Sequence, residues 1–346
     1  MIKKSIRKLI FSSGLIAILF VAGCGGGGGD GVAPPTAVVA ANESSYACDK
    51  TIEAAKAPHA STFVAQYDPA PPTDPHSFER WPLLIDEKGE DLNVAISQPQ
   101  VLVPVRGIVI IGHGHSASQA TAAPSAMVDG YWDAQLTSRG YIVITVARRG
   151  NFGSTGQRHV DLDATGLLAK YQSRQISYAD VELAATRFQS ASLVAALQKI
   201  STDSRFQPYL STILLIGASG GANTVLQTAA DSPVFQVASK KALIRLTGLD
   251  SAGDTNPDAL PGVSEYSARI AKNTVSSLWV DGQDDPITSP GQLACQFKFF
   301  TQAAGFSNSF YIVPGLGHLG FSNLLSVTLS PILNGYMTSR GFAGFQ

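Results

Sequence analysis

Gly217-Ala218-Ser219-Gly220-Gly221 is a G-x-S-x-G pentapeptide between an apolar run, Ile213-Leu214-Leu215-Ile216, and a helix-like stretch from Ala222 to Ala230. A strand, a sharp turn and a helix in that order lift a serine hydroxyl clear of a sheet edge. Glycine is required at both ends of the turn, because a side chain at Gly217 or Gly221 would strike the neighbouring strand or helix. A serine hydroxyl is a poor nucleophile at neutral pH unless a base takes its proton as it attacks. Two other segments end apolar runs in groups of that kind. Trp279-Val280-Asp281-Gly282-Gln283-Asp284-Asp285-Pro286 ends in acids, and Ile312-Val313-Pro314-Gly315-Leu316-Gly317-His318 ends in a histidine. His318 could accept the Ser219 proton and return it to a leaving group, while an acid held the imidazole tautomer and stabilised the imidazolium. On residue types alone, Asp285, its neighbours Asp284 and Asp281, and Asp250 at the end of the preceding strand-like run could all be that acid.

The chain order serine, acid, histidine separates this set from the chymotrypsin and subtilisin orders. At these residues the chain resembles the α/β-hydrolase family of esterases, lipases and dienelactone hydrolases, over roughly residues 90 to 340. The resemblance favours Asp285, just before Pro286, as the acid. It implies an α/β-hydrolase fold and a serine hydrolase with Ser219, Asp285 and His318 as its triad. It also implies an oxyanion hole made by the backbone N–H of Gly220 and, from the Gly112-His113-Gly114-His115 loop, that of His115. The implied activity is carboxylic ester hydrolysis on a small molecule, with a peptidase or amidase of the same fold, or a catalytically silent envelope binding protein, as alternatives. No cofactor is implied. His113 and His115 have the spacing of an H-x-H metal pair, but a hydrolytic zinc site needs a third ligand, and Ala117 and Ser118 supply none.

These residues must be positioned by a sheet. Ile108 to Ile111, Tyr141 to Val146, Ile213 to Ile216, Ala242 to Leu246, Val275 to Val280 and Phe310 to Val313 read as buried strands, with Asp91 to Ser97 as an early one. Met127 to Thr137 and Leu324 to Ser339 read as helices. Ser177 to Ile200 reads as an amphipathic helix with Val181, Ala184, Ala185, Phe188, Ala191, Val194 and Leu197 on one face, opened by a Ser177–Asp180 capping box. Strands alternating with helices predict an α/β architecture: a mostly parallel central sheet covered on both faces. Residues 249 to 272 are too few for a large lid domain, which predicts an open site. Arg148-Arg149-Gly150-Asn151-Phe152-Gly153-Ser154 resembles the family's Arg-Gly-x-Gly-x-Ser loop. The long run from Asn151 to Gln175 either lines the mouth of the site or is a solvated excursion.

The chain has 346 residues, is 45% hydrophobic and 15% charged, and has a net charge of −1. That composition suits one large globular domain. With no basic stripe beyond the first few residues, a nucleic-acid partner is not expected. The amino terminus carries a separate signal. Lys3, Lys4, Arg7 and Lys8 precede an apolar stretch, Leu9 to Ala22, that is too short and interrupted for a comfortable span. It ends in Val21-Ala22-Gly23-Cys24, which resembles a bacterial lipobox.

The expected organisation is a lipoprotein signal peptide over residues 1–23, a flexible Gly/Pro-rich tether over 24–45 and a single α/β-hydrolase domain over 46–346. Acylated Cys24 would hold the protein to a bilayer in the cell envelope, since several acyl chains anchor stably where one does not. Gly25, rather than an aspartate, follows that cysteine, which by resemblance to the enteric sorting rule favours the outer membrane. Cys48 and Cys295 would remain, and in an oxidising compartment they are expected to pair. Metabolic labelling with a palmitate analogue checks the anchor: wild-type protein should be labelled and sediment with membranes, and Cys24→Ala should lose both properties.

Overall fold

The computed structural model describes residues 39–41, 54–56, 76–83, 90–114, 130–155, 170, 173, 175, 178–248, 275–282, 308–314 and 329–343. These lie within the larger of two compact units, Pro35–Gln346. Among the described residues ten strands form one sheet: β1 (Val39–Ala41), β2 (Ala54–Lys56), β3 (His76–Leu83), β4 (Glu90–Ser97), β5 (Gly107–Gly112), β6 (Tyr141–Val146), β7 (Thr212–Ser219), β8 (Lys240–Gly248), β9 (Ser277–Gly282) and β10 (Ser309–Val313). Their order across the sheet is β2-β1-β10-β9-β8-β7-β5-β6-β4-β3. From β10 to β6 every neighbouring pair is parallel, and β4, β3, β1 and β2 join antiparallel at the edges.

The central parallel strands β5 and β7 carry unbroken apolar runs, Ile108 to Ile111 and Ile213 to Ile216, because both of their faces are covered. Ile108, Ile110, Ile142, Ile144, Ile213 and Leu215 face a core shared with Leu193, Leu197 and Ile200 of helix α2 (Tyr178–Thr202) and Val225, Leu226 and Ala229 of helix α3 (Gly220–Asp231). Their neighbours Val109, Ile111, Val143, Leu214 and Ile216 face a second core with Trp132 and Leu136 of α1 (Gly130–Thr137). That core also takes Leu329, Ile332, Leu333 and Met337 of the closing helix, Leu329–Ser339. The period-2 alternation of the strands thus divides one sheet between two cores. Tyr336 of the closing helix is buried and pins that layer to the sheet. Its hydroxyl donates to Ser276 O at 2.6 Å and accepts from Leu243 N at 3.2 Å. Burial holds its phenol well above the ordinary tyrosine range.

The expected mostly parallel sheet with helices on both faces is present, and every strand read from the sequence overlaps an observed one, with Val275 and Ser276 of the Val275 to Val280 run lying before β9. Three features differ. First, β3 did not stand out in the sequence. It carries Arg80 and Pro82 and is an edge strand, where a proline costs no ladder bond. Second, Val39–Ala41, in the stretch read as tether, pairs with β10, so the sheet reaches into that segment. Third, the buried stripe of α2 coincides only in part with the expected face. Val194 and Leu197 of that face are buried, Ala184, Phe188 and Ala191 are partly covered, and Thr186 and Ser190 beside it are buried as well. The loop after β6 meets this side of the helix. Arg149 lies over the Phe188 ring at 4.2 Å, and its backbone N–H donates to Ser192 Oγ at 3.3 Å.

Replacing Tyr336 by Phe removes a hydroxyl that serves two buried backbone groups. Tyr336→Phe should lower stability by roughly 1–3 kcal/mol, read as a lower denaturation midpoint at unchanged m-value, with no change in the sheet signature by circular dichroism.

Candidate active site

The carboxyl end of β7 carries one of two non-glycine residues with positive φ among the described residues. Ser219 has φ 54° and ψ −131°. A side-chain-bearing residue held there stores on the order of 1–3 kcal/mol of strain and persists only where packing dictates it. An ordinary serine before a helix accepts a hydrogen bond from the first turn, but the Ser219 side chain makes no such cap to α3. The hydroxyl is therefore not spent on closing the helix.

The glycines show what fixes this conformation. A Cβ on Gly221 would fall on the carbonyl of Gly112 and stand 2.7 Å from His113 O. A Cβ on Gly217 would fall on the carbonyl of Gly221 and stand 2.9 Å from Val225 Cγ2. One on Gly112 would meet Gly221 O and Val225 Cγ1, both at 2.9 Å. Gly112 and Gly217 are register partners on adjacent parallel strands, so the end of β5 presses on the turn after β7. Gly114 completes the contact: a Cβ there would lie 3.4 Å from Ser219 Cβ and 3.9 Å from Ser219 Oγ. The Gly112–Gly114 segment and Gly220, first residue of α3, thus stand on either side of the serine. The first N–H groups of α3 have no partner within the helix and lie at its positive dipole end.

The loop after β6 supports this arrangement from beneath. Arg148 is 1% exposed. Its Nη2 donates to Gly114 O at 2.7 Å, and its Nη1 donates to Thr224 Oγ1 at 3.2 Å and to Gln189 Oε1. His113 Nε2 accepts the Arg148 backbone N–H at 3.2 Å, while Nδ1 lies 2.8 Å from Gly114 O. That pattern assigns the neutral tautomer protonated on Nδ1, with both ring nitrogens occupied by protein groups. The ring also meets Phe152 edge to face at 5.0 Å. Burial pushes the Arg148 guanidinium down to about 9, so it stays charged at neutral pH.

Residues 156–169 of the long run from Asn151 to Gln175 lie outside the described residues; its start, with 148–150, forms a packed turn. Phe152 has φ 48°, Ser154 Oγ accepts from Asn93 N at 2.8 Å and donates to Ala147 O at 3.0 Å, and Asn93 Nδ2 donates to Phe152 O at 2.8 Å. Arg149 pairs with Glu90 at 2.6 Å. The role of Arg148 was hidden in the sequence, where a residue ending a strand gives no hint of which carbonyl its side chain will reach.

Of the residues named from the sequence, the structure brings together Ser219, Gly220 and the Gly112–Gly114 loop. His115, Asp285 and His318 lie outside the described residues, as do Asp250, Asp284, Cys24, Cys48, Cys295, Ser177 and the whole 249–274 segment between β8 and β9. Asp281 is inside β9, fully buried, with Oδ1 accepting Gly282 N at 2.9 Å. β5, β7, β9 and β10 run parallel, so their carboxyl ends, and the chain leaving them, share one edge of the sheet. A cavity of about 300 Å³ lined by Arg106, Tyr141, Thr212, Lys240 and Phe342 lies at the opposite, amino edge and is no part of this site.

No family model and no curated protein matches the sequence. Solved structures do. An esterase of Pyrococcus furiosus superposes on 81% of this chain and 96% of its own at TM-score 0.53, with 12% identity. A putative dipeptidyl aminopeptidase IV of Bacteroides ovatus superposes on 77% of this chain, but on 36% of its own, at TM-score 0.52 with 13% identity. The chain has the α/β-hydrolase fold. Within that fold Ser219 occupies the turn between a central strand and the helix behind it, and Gly114 faces it from the neighbouring strand's loop.

The glycine contacts give a paired test within the α/β-hydrolase fold. Gly221→Ala should destabilise by more than about 3 kcal/mol, because backbone must move. Gly335→Ala, in the closing helix with nothing within 4 Å of a new Cβ, should stabilise by roughly 0.5–1 kcal/mol. Thermal unfolding of both variants checks the opposite signs.

Proposed function

We infer that this protein is a serine hydrolase acting on carboxylic esters, with Ser219 as nucleophile, His318 as general base and acid, and Asp285 as the group that orients His318. The observation that carries the reading is the Ser219 backbone, forced to φ 54° between β7 and α3 with its side chain not capping the helix. Reach supports the other two residues. β9 is two strands and β10 three strands from β7, or about 10 and 14 Å at ordinary strand spacing. Asp285 follows Gly282 by three residues and His318 follows Val313 by five, and extended chain covers about 3.3 Å per residue. Both loops leave from the edge that carries Ser219 and are long enough to converge on it.

In the proposed reaction, Ser219 Oγ attacks the ester carbonyl as its proton passes to His318. The tetrahedral oxyanion is held by the N–H groups of Gly220 and His115. The alkoxide then leaves with the proton from His318, giving an acyl-enzyme that water cleaves by the same steps in reverse. Ester chemistry is favoured over a peptidase because the esterase shares the fold over almost its whole length, whereas the peptidase-like neighbour is mostly additional chain. The mature protein is proposed to begin at acylated Cys24 and to work at the envelope, probed by the labelling described above, with Cys48 joined to Cys295.

Fluorophosphonate should label wild-type protein and fail to label Ser219→Ala. His318→Ala and Asp285→Asn should lower ester turnover by on the order of 10³-fold or more. Labelling that persists in Ser219→Ala sinks the nucleophile assignment. Full activity of Asp285→Asn with loss in Asp250→Asn or Asp284→Asn moves the acid.

A further inference from the structure

The buried guanidinium of Arg148 has no part in the triad, yet it reaches both backbone segments that flank Ser219. The geometry points to Arg148 as a positioning residue: it holds the Gly114 carbonyl, and with it the plane of the peptide that follows, whose N–H the proposed reaction uses as an oxyanion donor. The inference rests on the hydrolase reading above.

A peptide unit is planar and trans, with its N–H directed opposite to its carbonyl. Whatever holds the Gly114 carbonyl therefore sets the direction of the N–H that follows it. The Gly114 carbonyl oxygen receives Arg148 Nη2–H at 2.7 Å and His113 Nδ1–H at 2.8 Å, which fills its two acceptor positions. Glycine has no intrinsic preference that would hold this plane, and a side chain is not accommodated cheaply, since its Cβ would crowd Ser219 at 3.4 Å. The restraint has to come from outside the loop.

The other arm of the guanidinium donates to Thr224 Oγ1 at 3.2 Å, and the Thr224 hydroxyl donates to Gly220 O at 2.9 Å. Gly220 supplies the other proposed oxyanion donor. One cation thus fixes the spacing between the two segments that must close on the same oxygen. Charge adds to position. A cation on a carbonyl oxygen polarises the amide and strengthens its N–H as a donor, and a site this deep is little screened by water. Arg148 remains charged at neutral pH, as the role requires.

Such donors act mainly on the transition state, so a misaimed N–H lowers kcat and spares KM. The test compares Arg148→Met, Arg148→Lys and, as a control from the same loop, Arg149→Met. Turnover of a p-nitrophenyl ester is expressed per site titrated with fluorophosphonate. Arg148→Met should lose about 10- to 100-fold in kcat with KM changed less than about threefold. Its affinity for a trifluoromethyl ketone, which mimics the tetrahedral adduct, should fall in parallel. Arg148→Lys, which keeps the charge but loses the fork, should fall between Met and wild type. Arg149→Met should keep wild-type kcat. Should the Met variant not fold, Arg148→Lys carries the test: reduced kcat at constant KM is expected, and wild-type kcat overturns the inference. So does an effect confined to KM, or an unchanged ketone affinity. A wild-type protein with neither Ser219 labelling nor ester turnover removes the hydrolase reading and this inference with it. An active wild type whose Arg148 variants are unaltered removes this inference alone.

Discussion

The site depends on a contact in which backbone meets backbone. Gly221, at the second position of α3, lies so close to the carbonyl of Gly112 that no Cβ can stand between them. That approach lets a strand end, a turn and a helix start occupy one small volume, and it sets the angle at which α3 leaves the sheet. The strained Ser219 conformation follows from it. With Gly217 pressed on Gly221 behind the turn, the chain has no relaxed route from strand to helix. The strain is met by the two apolar cores on either side of the sheet, which hold β5 and β7 in register.

Two buried cations reinforce the same helix. Arg148 reaches Thr224, and Arg245 of β8 donates to Asn223 Oδ1 at 2.6 Å while its guanidinium lies 4.2 Å over the Trp279 ring. Both arginines are almost wholly buried, and they contact consecutive residues of α3. Taking a guanidinium out of water is costly, and a buried charge is weak evidence for net stability. What it supplies is direction. Apolar contacts would let α3 slide by a fraction of a turn at little cost, whereas hydrogen bonds to charged forks tolerate small displacements poorly. A site that must place an N–H against one oxygen gains from that intolerance.

The edges follow another logic. β3 is bound to the loop after α2 through Arg205, which bridges Glu79 at 3.0 Å and Asp203 at 2.8 Å. The same guanidinium holds the Asp203 carboxyl down at about 2 and lowers that of Glu79. This cluster is solvated and contributes little to stability, but charged side chains and Pro82 on the outermost strand discourage pairing with another chain.

The sequence by itself determined the parts governed by local rules. Unbroken, β-branched apolar runs such as Ile108 to Ile111 and Ile213 to Ile216 suit central strands, which are buried on both faces. The G-x-S-x-G pentapeptide pointed to a strained serine because an apolar run precedes it and a helix-like stretch follows it, a context in which glycines at 217 and 221 relieve crowding. Tertiary structure alone decided which distant groups meet. The alternation that sends Ile110 to one core and Ile111 to the other is periodic and readable. The contact of Gly114 with Ser219 and the reach of Arg148 to Gly114 O join segments 105 and 34 residues apart, and no pattern in either segment encodes the other. The face of α2 was legible only in part for the same reason. Val194 and Leu197 are buried as their spacing predicts, but Thr186 and Ser190, which look solvent-facing in isolation, are buried as well, beside the Phe188 ring on which Arg149 lies. Periodicity reports how a segment divides polar from apolar, whereas the direction in which that division points is set by whatever the rest of the chain places beside it.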